Sequence, residues 1–335
     1  MISQLYINYP SWIKPEIIPS IPALGFLRWY GMMYVFAFAF AYYFLYKQFK
    51  NGELNSEGIK TTEDDILSFI STGFIFLLIG ARIFACLVYT PSGKYLAQPW
   101  LIFWPFDENM NFTGLAGMSY HGGFIGGFIG MFVWCKKNKR PFLKWMDAMA
   151  VAIPCGYTFG RLGNFLNGEL YGRLTTMPWG MIFPTAPQYS ASLQWVQDFT
   201  KSIGMDIPTS GLVNLPRHPS QLYEALFEGL FLFLTMWFLR KKKPFDGFMS
   251  AFYIVGYGFA RFIIEYFRMP DEDMGFKLGN TTSAPLDRDV SLYNISTGQI
   301  LCFLMIVFGI GFGIFCYKKY KKNKNRLILF LETDG

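Results

Sequence analysis

The sequence predicts an all-α polytopic membrane protein with seven transmembrane helices, an outside N-terminus, a cytoplasmic C-terminus and a small extracytoplasmic head. Three observations support this fold class. The 335 residues are 52% hydrophobic and only 16% charged, whereas an average soluble domain has about 25% charged residues. Seven apolar segments approach the roughly 20 residues that a helix needs to cross the hydrocarbon core. Lysines and arginines cluster after alternate segments, as expected for a multi-pass protein.

The seven apolar segments are separated by polar stretches that contain charged residues, glycine or proline. The third and fourth are shorter than a full crossing, so we expect them to tilt or to be extended by the motifs at their ends. The segments are Trp29–Tyr46, Ile66–Tyr89, Tyr120–Cys135, Trp145–Phe159, Leu222–Leu239, Phe248–Phe267 and Ile300–Tyr317.

Small residues on one face of the third segment predict a close contact between helices. Glycine lets two helix backbones approach each other in a membrane. The glycines are Gly122, Gly123, Gly126, Gly127 and Gly130.

The distribution of basic residues gives the orientation. Loops rich in lysine and arginine remain in the cytoplasm, and such loops follow the first, third, fifth and seventh segments. The basic residues there are Lys47, Lys50, Lys60, Lys136, Lys137, Lys139, Arg140, Lys144, Arg240, Lys241, Lys242, Lys243, Lys318, Lys319, Lys321, Lys322, Lys324 and Arg326.

Five regions follow from this topology. We expect an N-terminal interfacial arm over 1–26, transmembrane helices 1–4 over 27–160, and an extracytoplasmic head with a signature motif over 161–221. Transmembrane helices 5–7 then occupy 222–317, and a basic cytoplasmic tail occupies 318–335.

Composition also excludes several classes of partner. Nucleic acid is not expected, because the basic residues lie in short runs between apolar segments rather than on one folded face. No metal is expected, since the chain has two histidines without ligand spacing. No cofactor is expected either. The five cysteines, at the edges of or inside apolar segments, are interpreted as packing residues.

A stretch of thirteen residues after the fourth segment combines charged, amide and glycine residues. It reads Gly160-Arg-Leu-Gly-Asn-Phe-Leu-Asn-Gly-Glu-Leu-Tyr-Gly172. Charged groups at the membrane are costly and mark functional sites, while glycine permits close approach of the backbone to a ligand. The alternative is a capped helix end in which Arg161 pairs with Glu169.

Other polar residues lie at the same depth if the topology is correct. Segments of opposite direction bring their ionisable groups to the outer leaflet, which favours a shared site for an anionic amphipathic ligand. Arginine suits a lipid phosphate, because its planar donors match phosphate oxygens. The outer-leaflet residues are Tyr30, Arg82, His121, Arg161, Asn164, Asn167, Glu169, Glu224, Arg261, Glu265 and Arg268.

Several of these residues, and Glu228 in the fifth segment, also have a structural interpretation. Arg261 and Glu265 could form an intrahelical ion pair, Arg82 could snorkel to the interface, and His121 could bond a helix end. Glu228 could pair with a neighbour, and Tyr30 could belong to an aromatic belt. A phospholipid transporter or flippase predicts charged groups near mid-membrane and a path to both sides, whereas here they gather at one end. The residues alone do not separate an enzyme from a non-catalytic lipid-binding scaffold.

Five motifs resemble those of the bacterial prolipoprotein diacylglyceryl transferases, in the same order and over essentially the whole chain. Loops 180–215 and 272–294 follow no pattern of that family. The motifs are Leu27-Arg-Trp-Tyr-Gly31, His121-Gly-Gly, Gly160-Arg-Leu-Gly-Asn-Phe-Leu-Asn-Gly-Glu169 with Gly172, His218-Pro-Ser-Gln-Leu-Tyr-Glu224 and Arg261-Phe-Ile-Ile-Glu-Tyr-Phe-Arg-Met-Pro-Asp271.

The resemblance implies transfer of a diacylglyceryl group from phosphatidylglycerol to the lipobox cysteine of a prolipoprotein that still carries its signal peptide. A thioether forms and glycerol phosphate leaves. The expected location is the bacterial inner membrane, with the active site toward the outer leaflet. Membrane lipid and prolipoprotein are then the partners.

The resemblance also implies roles for individual residues. His121 is the candidate base for the thiol, Arg161 and Arg261 would stabilise the phosphate, and Tyr30 would help to place the headgroup or the thiol. These four are the predicted catalytic residues. The predicted phosphatidylglycerol-binding residues are Arg82, Arg161, Asn164, Asn167, Glu169, Gly172, Glu224, Arg261, Glu265 and Arg268.

Overall fold

The computed structural model describes residues 6–21, 27–56, 58–89, 93–106, 110–111, 117–269, 276–278, 287–288 and 292–333. Pro270 and Asp271, the end of the last predicted motif, and most of the predicted loop 272–294 lie outside these residues. The helices are α1 (Trp29–Lys50), α2 (Glu63–Phe84), α3 (Gly93–Ala97), α4 (Tyr120–Lys137), α5 (Phe142–Leu166), α6 (Gln194–Ser202), α7 (Ser220–Tyr223), α8 (Leu232–Leu239), α9 (Phe248–Ile264) and α10 (Thr297–Thr333). The short strands are β1 (Ile7–Asn8), β2 (Met181–Ile182), β3 (Tyr189–Ser190), β4 (Leu212–Val213), β5 (Phe276–Leu278) and β6 (Ile295–Ser296).

All seven predicted apolar segments are helical, and several are apolar enough for a membrane. Among the described residues, three helical stretches have the length and composition to cross a bilayer: Glu63–Tyr89, Ser220–Lys242 and Thr297–Arg326. Phe248–Ile264 is a shorter apolar helix. The mostly helical chain is therefore consistent with a polytopic membrane protein. The count of seven crossings and the orientation of the termini stay predictions.

The chain forms two compact units, one of residues 1–41 and 150–335 and the other of residues 42–149. In the second unit, α2 and α4 pack through the predicted glycine face. A Cβ at Gly130 would stand 2.6 Å from the Cβ of Phe76, and one at Gly126 would overlap the carbonyl oxygen of Phe76. The predicted close contact of the third apolar segment is thus confirmed.

Helix boundaries differ from the predicted ones where capping or propensity extends a helix. α2 begins at Glu63, before the predicted Ile66, because Thr62 and Asp65 form a capping box. α10 continues to Thr333, beyond the predicted Tyr317. The basic stretch after Tyr317 contains no glycine or proline before residue 333, so nothing in its composition ends the helix.

The fourth segment also runs further than expected, since α5 ends at Leu166 rather than near Phe159. Two glycines in its extension lower helix propensity, but close packing on α1 compensates. A Cβ at Gly163 would lie 3.2 Å from the Cβ of Met33, and Phe159 stacks on Phe40 at 4.8 Å between ring centroids. Arg161 and Asn164 consequently lie in the last turns of a helix.

In the unit of residues 1–41 and 150–335, α9 packs on α10. Glycines again set the distance, because a Cβ at Gly309 would lie 2.8 Å from side-chain carbons of Ile254 and Val255. Between α7 and α8, residues Glu224–Phe231 form a π-helix, a conformation that occurs frequently at functional sites.

A small head lies between α5 and α7 in the chain. β3 pairs antiparallel with β4, and α6 contributes to a core made of Leu174, Ala191, Val196, Val213 and Leu215. The predicted N-terminal arm is attached to the same region: β1 pairs with β2, and the Tyr9 hydroxyl donates to the carbonyl oxygen of Phe165 at 2.8 Å.

Candidate functional site

Two arginines from different motifs meet at one carboxylate. Arg161 comes from the last turns of α5, Glu224 from the start of the π-helix, and Arg261 from the end of α9. Oε2 of Glu224 lies 2.9 Å from Nε of Arg161 and 2.8 Å from Nη1 of Arg261. The Glu224 side chain is fully buried. This shared ion pair is the centre of the candidate site.

A second carboxylate and a tyrosine complete this centre. Glu228 is also fully buried, and its Oε1 lies 3.7 Å from Nη1 of Arg261. The hydroxyl group of Tyr157, one turn before Arg161 on α5, donates to Oε2 of Glu228 and accepts a hydrogen bond of 2.8 Å from Nε of Arg161. Glu228 therefore pairs with neighbouring side chains, which confirms the structural interpretation of this residue.

The ion pairs continue along the end of α9. Nη2 of Arg261 lies 3.0 Å from Oε2 of Glu265, which is 4.0 Å from Nη1 of Arg268. These contacts place the side chains of Arg261, Glu265 and Arg268 together at the end of α9, and they include the intrahelical ion pair of the structural interpretation. Ser296 donates a hydrogen bond of 3.3 Å to Oε1 of Glu265. The candidate site thus contains three guanidinium groups and three buried carboxyl groups. They belong to Arg161, Arg261 and Arg268, and to Glu224, Glu228 and Glu265.

The signature motif folds back on itself after α5. Nδ2 of Asn164 donates to Oε1 of Glu169 at 2.9 Å, and Oδ1 of Asn164 lies 3.4 Å from Nη1 of Arg161. Gly168, with φ of 67°, provides the left-handed residue that reverses the chain. The backbone amide of Asn167 donates to the carbonyl oxygen of Gly163. Asn164 thus connects Glu169 to Arg161.

Arg161 keeps part of its guanidinium group accessible. Its Nε is held by Tyr157 and Glu224, and the hydrogen bond of Nη1 within the described residues is the long one to Asn164. Within the described part of the chain, Nη2 of Arg161 donates no hydrogen bond to the protein. Its side chain is 18% exposed. Nη1 and Nη2 can therefore donate hydrogen bonds to an anionic ligand.

Gly172 joins the signature motif to two other motifs through backbone hydrogen bonds. Its amide donates to the carbonyl oxygen of His218 at 2.8 Å, and the next amide, of Arg173, donates to that of Phe267 at 3.0 Å. A Cβ at Gly172 would overlap the Phe267 carbonyl oxygen and lie 2.9 Å from the Cβ of His218. The structure thus gives Gly172 a packing role, and its contact with lipid stays a prediction.

A buried arginine in the head supports the same junction. Arg217 is fully buried; its Nη1 donates to the carbonyl oxygen of Gly172 at 3.3 Å and its Nη2 to the Tyr189 hydroxyl at 2.7 Å. Tyr189 in turn donates to the carboxylate of Asp287. Burial raises the pKa of Tyr189 to about 12, and the hydrogen bond to Asp287 acts in the same direction.

Of the remaining predicted residues, Tyr30 lies beside the signature motif, because a Cβ at Gly163 would stand 3.4 Å from its ring carbon Cδ2. The Tyr30 hydroxyl bonds that of Tyr34 at 3.0 Å. In the unit of residues 42–149, Nδ1 of His121 lies 2.6 Å from the Tyr89 hydroxyl. In that unit Arg82 is buried, and its Nε and Nη1 donate to the carbonyl oxygens of Ile102 and Gly117. No grouping of three or more His, Cys, Asp or Glu suited to a metal occurs among the described residues.

Sequence reasoning missed Tyr157, Arg217, Tyr189 and Asp287. Tyr157 had one usable signal, its i, i+4 spacing to Arg161 on a helix, but a tyrosine in an apolar stretch is also typical of packing. Arg217 directly precedes the motif that begins at His218, although nothing in the sequence indicated its full burial. Asp287 lies in a loop whose contacts with the head have no local sequence signal.

Comparison with known proteins gives a consistent result. The model of the family described as prolipoprotein diacylglyceryl transferase matches residues 18–315. The chain is 52% identical to a protein of Treponema denticola over 96% of this chain and 98% of that protein. It is 49% identical to a protein of Treponema pallidum over 95% and 97% of the two chains.

A more distant relative has the same description. The chain is 41% identical to a protein of Chlorobaculum tepidum over 91% of this chain and 90% of that protein. All three relatives are named phosphatidylglycerol–prolipoprotein diacylglyceryl transferase. The family match spans most of the chain and includes the buried ion pairs of Arg161, Glu224 and Arg261. This chain therefore belongs to the prolipoprotein diacylglyceryl transferase family.

Proposed function

We propose that this chain transfers the diacylglyceryl group of phosphatidylglycerol to the cysteine thiol of a prolipoprotein. The carbon–oxygen bond to the phosphate breaks, a carbon–sulfur bond forms, and glycerol phosphate leaves. The names of the relatives support both substrates. The observation that carries the proposal within the molecule is the pairing of Arg161 and Arg261 with Glu224 beside the accessible end of Arg161.

Arg161 is the proposed phosphate ligand. Its terminal amino groups present parallel donors, and such a pair binds two phosphate oxygens at once. Arg261 has carboxylates at both Nη1 and Nη2, so its proposed part is to add positive potential as charge grows on the leaving group. Glu265 and Arg268 support Arg261, whereas Asn164 and Glu169 support Arg161. Asn167, Gly172 and Arg82 remain proposed lipid-binding residues.

His121 is the proposed base for the thiol. A free cysteine thiol has a pKa of about 8.5, so a base that removes its proton increases the reactive thiolate. A neutral imidazole suits this task near neutral pH. Tyr30 is the proposed aid in placing the headgroup or the thiol. Both roles rest on side-chain chemistry and on the family resemblance.

The substrate protein is proposed to present a lipobox cysteine at the end of its signal peptide. Seven crossings, with the N-terminus outside, would bring the site to the outer leaflet of the bacterial inner membrane. The basic residues after alternate apolar segments support this orientation. The interfacial arm 1–26, the head 161–221 and the cytoplasmic tail 318–335 are part of the same proposal.

A phospholipid transporter or flippase is the rival function. It would move phosphatidylglycerol without breaking a bond in it. The names of the relatives do not favour this function, nor do they favour a scaffold that only binds lipid.

Incubation of the purified full chain with phosphatidylglycerol and a synthetic lipobox peptide tests the proposal. We expect a mass increase on the peptide cysteine and stoichiometric release of glycerol phosphate, and neither with a serine peptide. Arg161→Lys should lower kcat/KM by about a hundredfold, because a point charge does not reproduce bidentate contact. The exposed Arg326→Lys is the matched control. A wild-type protein that binds both substrates but yields no thioether would refute the proposed function.

A further inference from the structure

The hydroxyl group of Tyr157 lies between the two buried carboxylates and Arg161. It accepts a hydrogen bond from Nε of Arg161 at 2.8 Å, and lies 2.5 Å from Oε2 of Glu228 and 3.2 Å from Oε2 of Glu224. A phenol has one proton to donate. The shorter distance assigns that proton to Glu228, so the hydrogen bonds run from Arg161 through Tyr157 to Glu228.

This arrangement fixes which edge of Arg161 remains for a ligand. A guanidinium group can bind an anion side-on, through Nε and one terminal nitrogen, or end-on, through both terminal nitrogens. Tyr157 and Glu224 occupy Nε. Only Nη1 and Nη2 remain, and the contact of Nη1 with Asn164 is long at 3.4 Å. A phosphate that reaches Arg161 must therefore bind end-on.

Packing holds Tyr157 in this position. Its ring is perpendicular to that of Tyr257, with centroids 5.6 Å apart and an interplanar angle of 86°. The guanidinium carbon of Arg161 lies 4.9 Å from the centre of the Tyr157 ring, within the range of a cation–π contact. Glu228, at the other end, is fully buried. Tyr157 is thus restrained at its ring and at its hydroxyl.

We propose that Tyr157 and Glu228 are positioning residues, which hold Nε of Arg161 so that this arginine presents its two terminal amino groups end-on to the lipid phosphate. The inference rests on the proposed function, because it assumes that the phosphate of phosphatidylglycerol is the ligand. Neither residue needs to touch the lipid. Their effect is to pre-organise the phosphate-binding donors, which reduces the ordering cost of binding.

Equilibrium binding in detergent tests the inference without turnover. Dioctanoyl phosphatidylglycerol and dioctanoylglycerol are titrated into the full-length protein by calorimetry in the absence of peptide. For Tyr157→Phe we expect about a tenfold loss of affinity for the phospholipid, the effect of losing a hydrogen bond to a charged group. Affinity for dioctanoylglycerol, which has no phosphate, should remain unchanged.

Two further variants test whether Tyr157 changes phospholipid affinity through Arg161. In an Arg161→Lys background, Tyr157→Phe should cause no additional loss, since it acts through the arginine fork that lysine lacks. Glu228→Gln keeps an acceptor for the Tyr157 hydroxyl, so it should reduce phospholipid affinity less than Tyr157→Phe does. Tyr46→Phe is the matched control, because the Tyr46 hydroxyl donates to the Glu63 carboxylate at 2.9 Å in the other unit.

The inference is overturned if Tyr157→Phe binds the phospholipid as tightly as wild type. It is equally overturned if both lipids weaken together, or if the losses add in the double variant, since these results would indicate a general packing role. Failure of the proposed function has a different signature, namely a wild-type protein that forms no thioether. A transferase-active wild type with unaltered Tyr157→Phe binding would remove only the positioning role.

Discussion

Arg161 and Arg261, which belong to two different sequence motifs, share a single carboxylate oxygen, Oε2 of Glu224, at 2.9 and 2.8 Å. Two guanidinium groups at such close range repel each other, and the repulsion is strong where water is excluded. The fully buried Glu224 offsets it. A pre-formed pair of cations can then stabilise charge on a departing phosphate with little rearrangement.

The first prediction concerns this shared carboxylate. Glu224→Gln leaves two arginines without their common counter-ion, and breaking a buried ion pair costs about 3 kcal/mol or more. We expect a matching decrease in the free energy of unfolding in detergent. We also expect a fall of about a hundredfold in kcat/KM for thioether formation, because the donors lose their arrangement. Denaturant titration and the transfer assay measure the two effects.

Glu16→Gln is the control for Glu224→Gln. Glu16 lies 3.8 Å from Arg28, and both side chains are partly exposed, so this pair contributes less than about 1 kcal/mol. Equal losses of stability in the two variants would contradict the central place of Glu224.

The meeting of Arg161, Glu224 and Arg261 could be anticipated from the sequence, because charged residues at the ends of apolar segments are costly unless they pair. Tyr157 could not be separated from the other tyrosines of the apolar segments. Its role depends on the π-helix that begins at Glu224, and that helix has no local signal. The contacts within the head could not be predicted from the sequence. Arg217 and Asp287, which are far apart along the chain, both form a hydrogen bond with Tyr189.

The glycine face of α4 shows a similar limit. The sequence predicts that five glycines contact a neighbouring helix, and they do. It does not show which of them are indispensable, because periodicity gives the face of a helix and not the depth of its contact. The structure separates two adjacent glycines. A Cβ at Gly126 would overlap the Phe76 carbonyl oxygen, whereas one at Gly127 would lie 3.6 Å from the Cβ of Leu77.

The second prediction uses this pair. Gly126→Ala should lower the free energy of unfolding by about 1–3 kcal/mol, since backbone atoms of α2 have to move to admit the methyl group. Gly127→Ala adds an ordinary van der Waals contact and improves helix propensity, so we expect no loss of stability. Thermal unfolding of both purified variants decides the matter, and equal midpoints would show that the helices are not closely packed at Gly126.

The third prediction concerns Gly172, where three motifs join. Gly172→Ala would force a methyl group against the Phe267 carbonyl oxygen and the Cβ of His218. We expect a loss of about 1–3 kcal/mol in stability and lower transfer activity, because the segment that follows the signature motif is displaced. Gly311→Ala is the control, since a Cβ there has no neighbour within 4 Å. A fully stable and active Gly172→Ala enzyme would disprove the packing role.

The fourth prediction is a pH dependence of the head that originates at Tyr189. Burial raises its pKa to about 12 from the usual 10, so the unfolded chain loses this proton before the folded chain does. The contribution of the protonated Tyr189 hydroxyl to the free energy of unfolding is therefore complete below pH 10 and is lost as the pH rises from 10 to 12. We expect the unfolding midpoint of the wild type to fall in this window more steeply than that of Tyr189→Phe, which has no phenolic proton.

Tyr171→Phe serves as the comparison, because burial also raises the pKa of Tyr171 but its hydroxyl donates to the carbonyl oxygen of Thr185 rather than to a carboxylate. If the wild type and Tyr189→Phe had parallel profiles, ionisation of Tyr189 would have no part in the alkaline stability of the head.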